Sequence, residues 1–359
     1  MNTRVKRIVL PLGGAAVAAG MIAASLTAGA SASAAAAPAS DALATTKAAA
    51  LDTVKFWTAS GGKALKAATK FTEDAAVKGR VRMGGGDAAP DGKTGVVPPI
   101  GQEKVTPTHA KNVNLPRTIG KVFFRLGRQV YWCSASSIQG KYRNLVATAG
   151  HCVYDTDANR DTLDHWVFIP AFYQGKAPFG IYVGKSAYTH FDFANYEDFD
   201  SDYAFVTVYN GVEPRTWKDV GRLGDNVGGQ GFAWNQKIGQ TVYAFGYPAG
   251  PHPDGDRPYT GLTPKYCYGK TSAAGTVPGF KAEAQIALKC SMTAGASGGP
   301  WITQYSSTAR VGYINGVTSL VGDTDANGRF DFATSPYFDS ETYSIYSAAS
   351  NLWSGKIGK

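Results

Sequence analysis

The 359 residues carry 36 Lys and Arg against 27 Asp and Glu, a formal net charge of +9. The excess is local: residues 1–116 hold 14 basic and 7 acidic side chains, whereas residues 117–359 hold 22 and 20. A near-neutral main portion argues against nucleic-acid binding through an electrostatic footprint, and after the first 30 residues no apolar stretch is long enough to span a bilayer.

In chain order, Arg4, Lys6 and Arg7 precede an uncharged run rich in Ala and Gly from Ile8 to Ala30, and small-x-small sites such as Ala30-Ser31-Ala32 follow. That order predicts a secretory signal over residues 1–34, with a membrane anchor as the alternative. Residues 35–116 read as a propeptide and linker, with a disordered spacer as the alternative. Leu51, Val54, Phe56, Trp57, Leu65 and Phe71 stand at loose helical spacing, which predicts one or two short helices within 41–80. Met83, three glycines and Pro90, Pro98 and Pro99 mark a linker over 83–101.

From Ile119 the pattern changes to short β-branched and aromatic runs, such as Val122-Phe123-Phe124, Val167-Phe168-Ile169, Ala204 to Val208 and Val242 to Phe245. Gly, Asp, Asn and Pro separate them. This predicts an all-β sandwich or barrel over residues 117–359. Tyr343, Ile345, Tyr346, Ala349 and Leu352 lie near helical spacing and predict a terminal helix over Glu341 to Trp353. Four cysteines, Cys133, Cys152, Cys267 and Cys290, suit two disulfides in an exported chain. No two are close enough for a C-x-x-C metal unit.

Ser297 lies in Gly295-Ala296-Ser297-Gly298-Gly299-Pro300. A nucleophilic serine needs a tight turn that exposes Oγ and aims backbone N–H groups at the developing oxyanion. The motif alone also fits the nucleophile elbow of an α/β-hydrolase, but that fold needs a His after its Ser. The five histidines, His109, His151, His165, His190 and His252, all precede Ser297. The order His, Asp, Ser remains. His151 follows the apolar run Leu145-Val146-Ala147 and precedes Cys152. Asp202 precedes Tyr203-Ala204-Phe205-Val206, with Asp198 and Asp200 as competitors.

Val-Ala-Thr-Ala-Gly-His-Cys around His151 resembles the His segment of the chymotrypsin-like serine peptidases, and Trp132 to Ile138 resembles the strand before it. The likeness covers about 119–335 and is greatest to secreted trypsin-like peptidases of actinobacteria and, more distantly, to bacterial glutamyl endopeptidases. It implies two six-stranded antiparallel β-barrels, about 117–225 and 226–359, and the C-terminal helix. It also implies a triad of His151, Asp202 and Ser297, an oxyanion hole from the N–H groups of Gly295 and Ser297, and a Cys133–Cys152 bridge, which leaves Cys267 with Cys290. The implied protein is a secreted, monomeric endopeptidase acting on polypeptides, without nucleic-acid partner or required cofactor. A catalytically silent binding protein on the same fold and an esterase with the same triad are the alternatives.

In that family the residue six before the nucleophile floors the specificity pocket, which is Ser291 here, and Thr318-Ser319-Leu320 resembles the substrate-pairing wall. A neutral floor predicts an uncharged pocket for apolar or small side chains. Ala296 replaces the Asp that pairs with a new N-terminus in animal-type zymogens, so activation is expected to uncover the cleft, after cleavage at a site such as Arg117. Finally, Asp323, Asp325, Asn327 and Asp331 are spaced like the first half of a calcium loop. Thr334 stands where the bidentate Glu belongs, and an ordinary acidic turn is the alternative. A poorer copy of the string lies at 155–161.

Overall fold

The computed structural model describes residues 38–71, 76–77, 88–101, 113–155, 161–277 and 280–359. The expected signal at 1–34 lies outside the described residues, as do residues 83–87 of the linker and most of the 155–161 string.

Six strands form the first half: β1 (Ile119–Leu126), β2 (Gln129–Ile138), β3 (Leu145–Thr148), β4 (Asp164–Pro170), β5 (Tyr182–Thr189) and β6 (Ala204–Val208). They pair antiparallel in the order β4-β1-β2-β3-β6-β5, and β5 pairs back with β4, so the barrel is closed. Closure uses most of the strand edges, and Ala39–Ala42 pairs with the stretch of β5 left open. Alternate residues such as Val122, Phe124, Cys133, Ala135 and Val146 fill its interior. The first six residues of β1 are buried on both faces, because a further layer lies outside. The helix Lys47–Ala67 packs there, with fully buried Trp57 5.8 Å from the Phe123 ring. Non-helical backbone from Ala59 to Gly62, with positive φ at Ser60, Gly61 and Gly62, divides this helix in two.

The second half has β7 (Thr241–Gly246), β8 (Lys265–Lys270), β9 (Ile286–Lys289), β10 (Pro300–Ser306), β11 (Val311–Val317) and β12 (Phe332–Ser335). Here the structure departs from a closed ladder. One sheet runs β8-β7-β10-β11, and β9 pairs with β12 in a second. The edges of the two sheets are joined by other means. The Cys267–Cys290 disulfide links β8 to the end of β9. On the other side, Val317 N–H donates to Ser335 Oγ, and Ser319 and Thr334 N–H donate to the carbonyls of Thr334 and Leu320. Two strands outside the expected plan extend the first sheet. Gly231–Trp234 runs parallel to β11, and Gly95–Val97 pairs with it.

The terminal helix spans Ser340–Ser350 and starts at a capping box of Asp339 and Thr342. It staples the halves together: the Tyr346 ring stacks on Phe232 at 4.3 Å and meets Phe205 of β6 edge-on at 5.5 Å.

Because Cys267–Cys290 spans 23 residues and ties two sheets that no ladder joins, replacing both cysteines by serine should cost about 3 kcal/mol of stability. Urea denaturation checks this. A midpoint unchanged from the parent would contradict it.

Candidate active site

The first barrel brings His151 and Asp202 together through strand pairing. Ala204 of β6 pairs with Thr148 of β3, so the residues just before β6 face those just after β3. His151 sits in the short turn Gly150–Cys152, pinned by the Cys133–Cys152 disulfide. Asp202 is fully buried and its oxygens are all engaged. One accepts from the His151 backbone N–H at 2.9 Å; the other faces His151 Nδ1 at 2.8 Å and accepts from Ser319 Oγ at 2.6 Å. A carboxylate can only accept, so Nδ1 carries the hydrogen and Nε2 is left as the basic nitrogen. The competing acids have other duties. Asp200 accepts from the N–H groups of Glu283 and Ala284, and Asp198 caps the following turn. Burial raises both their carboxyl pKa values.

The serine loop is built from the second half against the first. Ser297 carbonyl accepts from Ser134 N–H at 2.8 Å, and Gly295 carbonyl accepts from Ser134 Oγ at 2.7 Å. Glycine is required at two places. Gly298 has φ +76°, and a Cβ there would lie 2.4 Å from the Ser134 carbonyl oxygen; Gly295 has φ +97°, and a Cβ would lie 2.6 Å from the Trp132 ring. Gly298 N–H donates to Thr318 and Ala296 N–H to Thr293. The N–H groups of Gly295 and Ser297 meet no acceptor among the described residues, which leaves both available to an incoming oxyanion.

Among the residues expected to contact substrate, Ser291 is exposed, with its Oγ 3.0 Å from Tyr259 OH. Thr318 and Ser319 direct their hydroxyls elsewhere. Thr318 Oγ1 accepts from Trp301 Nε1 at 3.0 Å, and Ser319 serves Asp202. Ser319 thus joins His151 at the Asp202 carboxylate, a contact that sequence patterning misses, since only the packing of the two halves brings it there.

At 323–331 the acidic side chains brace their own turn. Asp323 accepts from Gly328 and Asn327 N–H, Asp331 from Thr324, and Asp325 from Asn327. These carboxylates hold the turn through backbone and side-chain donors, and the three do not gather within a common ligand distance in this structure. Among the described residues the one close set of metal-type ligands is Cys133, His151 and Cys152, and a disulfide consumes both sulfurs.

A second feature invisible in the sequence lies over the cleft. Thr69–Lys70 pairs with Tyr131–Trp132, and Phe71 N–H donates to the Trp132 carbonyl at 2.9 Å. The Phe71 ring stacks on His151 with centroids 6.2 Å apart, opposite Phe199 at 6.3 Å. Ala76–Val77 then pairs with Val321–Gly322, beside the Thr318–Leu320 wall.

The description "trypsin-like peptidase domain" matches residues 133–308. Among solved structures, the protease Anisep from Arthrobacter nicotinovorans superposes with a TM-score of 0.55 at 30% identity, covering 67% of this chain and 97% of that one. The thermostable serine protease AL20 from an extremophilic microorganism gives 0.54 at 30% identity, covering 65% and 97%. No curated protein sequence matches. With two proteases at 30% identity matched over nearly their whole lengths, on a fold that carries a Ser-loop and a buried His–Asp pair, the chain belongs to the trypsin-like serine peptidase family.

Proposed function

We propose that the chain is a secreted serine endopeptidase, exported behind residues 1–34, held as a precursor by residues 35–116 and active as residues 117–359. The observation that carries this reading is the buried Asp202 carboxylate 2.8 Å from His151 Nδ1, which makes Nε2 a base. His151 takes the Ser297 proton as Oγ attacks the scissile carbonyl. The oxyanion is received by the N–H groups of Gly295 and Ser297. His151 then protonates the leaving amine, and water hydrolyses the acyl-enzyme by the same route. Asp202 stays ionised and stabilises the imidazolium. The hydroxyls of Ser291 and Tyr259 offer no charge at the pocket floor, which suits an apolar or small side chain before the cleaved bond.

Ser297→Ala should lower kcat by about a million-fold, since the triad acts as a unit, and should abolish labelling by a fluorophosphonate probe. Digestion of a mixed peptide pool by the parent enzyme reads the pocket as well. Labelling that survives the substitution overturns the assignment, and dominant cleavage after Arg or Lys overturns the pocket.

The precursor reading is supported by the segment that crosses the cleft. Ala296 is fully buried and uncharged, so it offers no partner to a new α-amino group. Activation therefore works by removing the cover, with Arg117, exposed in a turn, as the candidate cleavage point. Phe71→Ala deletes the ring over His151 and should raise the activity of the uncleaved precursor by about tenfold, in line with the loss of one buried aromatic contact. A short ester substrate and a processing-blocked precursor measure this. A blocked precursor as active as the processed enzyme would contradict the cover.

A further inference from the structure

Two short strands of the precursor segment lie against the candidate site, and both pair parallel. Thr69–Lys70 runs parallel to Tyr131–Trp132 of β2, with Phe71 N–H donating to the Trp132 carbonyl. Ala76–Val77 runs parallel to Val321–Gly322. These directions matter because a triad cuts a chain that lies across it in one orientation only.

That orientation follows from the hydrogen bonds of the serine loop. His151 protonates the amine that leaves, so the residues after the cleaved bond lie on its side. The Cys133–Cys152 bridge ties the residue after Trp132 to the one after His151, which places Trp132 on that side. β2 reaches the serine loop at Ser134, whose N–H donates to the Ser297 carbonyl, so β2 runs towards Ser297. Residues after the cleaved bond run away from Ser297 and are therefore antiparallel to β2. On the other side, Thr318 is bonded to the backbone of Gly298 and Gly299, so the Thr318–Leu320 wall starts at the serine loop and Val321–Gly322 lies farther out. Residues before the cleaved bond run towards Ser297 and are antiparallel to that wall. Thr69–Lys70 and Ala76–Val77 thus run opposite to a substrate in both places. Their order agrees: the earlier pair lies on the leaving-group side and the later pair on the acyl side.

The cause lies upstream. Ala39–Ala42 pairs with Ser186–Thr189 of β5, and Trp57 Nε1–H donates to the His165 carbonyl, so the segment is anchored on the first barrel and enters from the His151 side. On the peptidase reading above, we infer that this segment occupies the cleft with reversed polarity and is an inhibitor that the site cannot cut. In a reversed chain, a carbonyl seated at the N–H groups of Gly295 and Ser297 directs its amide nitrogen towards the Thr318–Leu320 wall. His151 Nε2 cannot protonate that nitrogen, so attack by Ser297 Oγ reverses without breaking the C–N bond. The activating cut falls elsewhere in the chain or is made by a second molecule.

The full-length precursor is followed by mass spectrometry as it processes itself at a series of dilutions. Phe71, Ala76 and Val77 are of the apolar or small type that a neutral pocket suits, so bonds in this stretch would be cut in place if the polarity were that of a substrate. Instead, cleavage between Thr69 and Val77 should be absent, or should slow tenfold for each tenfold dilution, because only a second molecule can make it. Heat-denatured Ser297→Ala precursor supplied to the processed enzyme should be cut in the same stretch. Cleavage there that does not slow on dilution overturns the reversed polarity. A denatured chain that resists there overturns it too, since sequence rather than direction then protects the segment. Either result leaves the peptidase reading standing. A parent chain that neither processes itself nor cuts any peptide overturns both.

Discussion

Asp202 is a carboxylate with no exposed surface, and a buried carboxylate is tolerable only when its oxygens are fully satisfied. Two of its three hydrogen bonds come from His151, on the first barrel, and one comes from Ser319, on the second half. Gln285 extends the arrangement by donating to Ser319 Oγ and to the Phe199 carbonyl. The polar network therefore crosses the junction of the two halves. Separating them would strand the carboxylate, so the interaction that orients His151 also favours the assembled fold.

The serine loop follows the same logic. Ser134 of β2 holds both ends of the turn, through its N–H to the Ser297 carbonyl and its Oγ to the Gly295 carbonyl. Its Oγ also accepts from Tyr247 N–H. Glycines at 295 and 298 let the backbone come that close. The candidate site is thus assembled at an interface to which the first barrel brings the oriented His151 and the second half the tight serine turn. The segment from Thr69 to Val77 uses the same interface, with Thr69–Lys70 paired to Tyr131–Trp132 on one side and Ala76–Val77 to Val321–Gly322 on the other.

What could be read in the sequence was whatever is local or fixed by chain order. The glycines around Ser297, the apolar strand leading to His151 and the strand following Asp202 each carry their signal within a few residues. The absence of any histidine after Ser297 decided between folds. The β-runs at 122–124, 167–169, 204–208 and 242–245 all fall within strands. Long-range pairing left no such trace. Ser319 was read as pocket wall, but its hydroxyl turns to an acid 117 residues away. Phe71 was one apolar position in a loose helical pattern, yet it lies just beyond the helix, against His151. Lys121 interrupts an apolar strand, and the Trp132, Phe172 and Tyr247 rings that face its amine come from three separate segments. The split of the second half into two sheets depends on short strands β9 and β12 and on a serine side chain at 335 replacing a ladder bond. None of these has a periodicity to read.

The central claim is that the Asp202 carboxylate fixes His151 as a base with Nδ1–H held inward. Asp202→Asn keeps the shape; with its amide oxygen accepting from the His151 backbone N–H, its amide N–H faces Nδ1 and favours the wrong tautomer, and Ser319 Oγ turns from donor to acceptor. Measured on the processed enzyme with a fixed peptide substrate, kcat should fall by about ten-thousandfold while KM and thermal stability change little. An Asp202→Asn enzyme within tenfold of the parent would contradict the account.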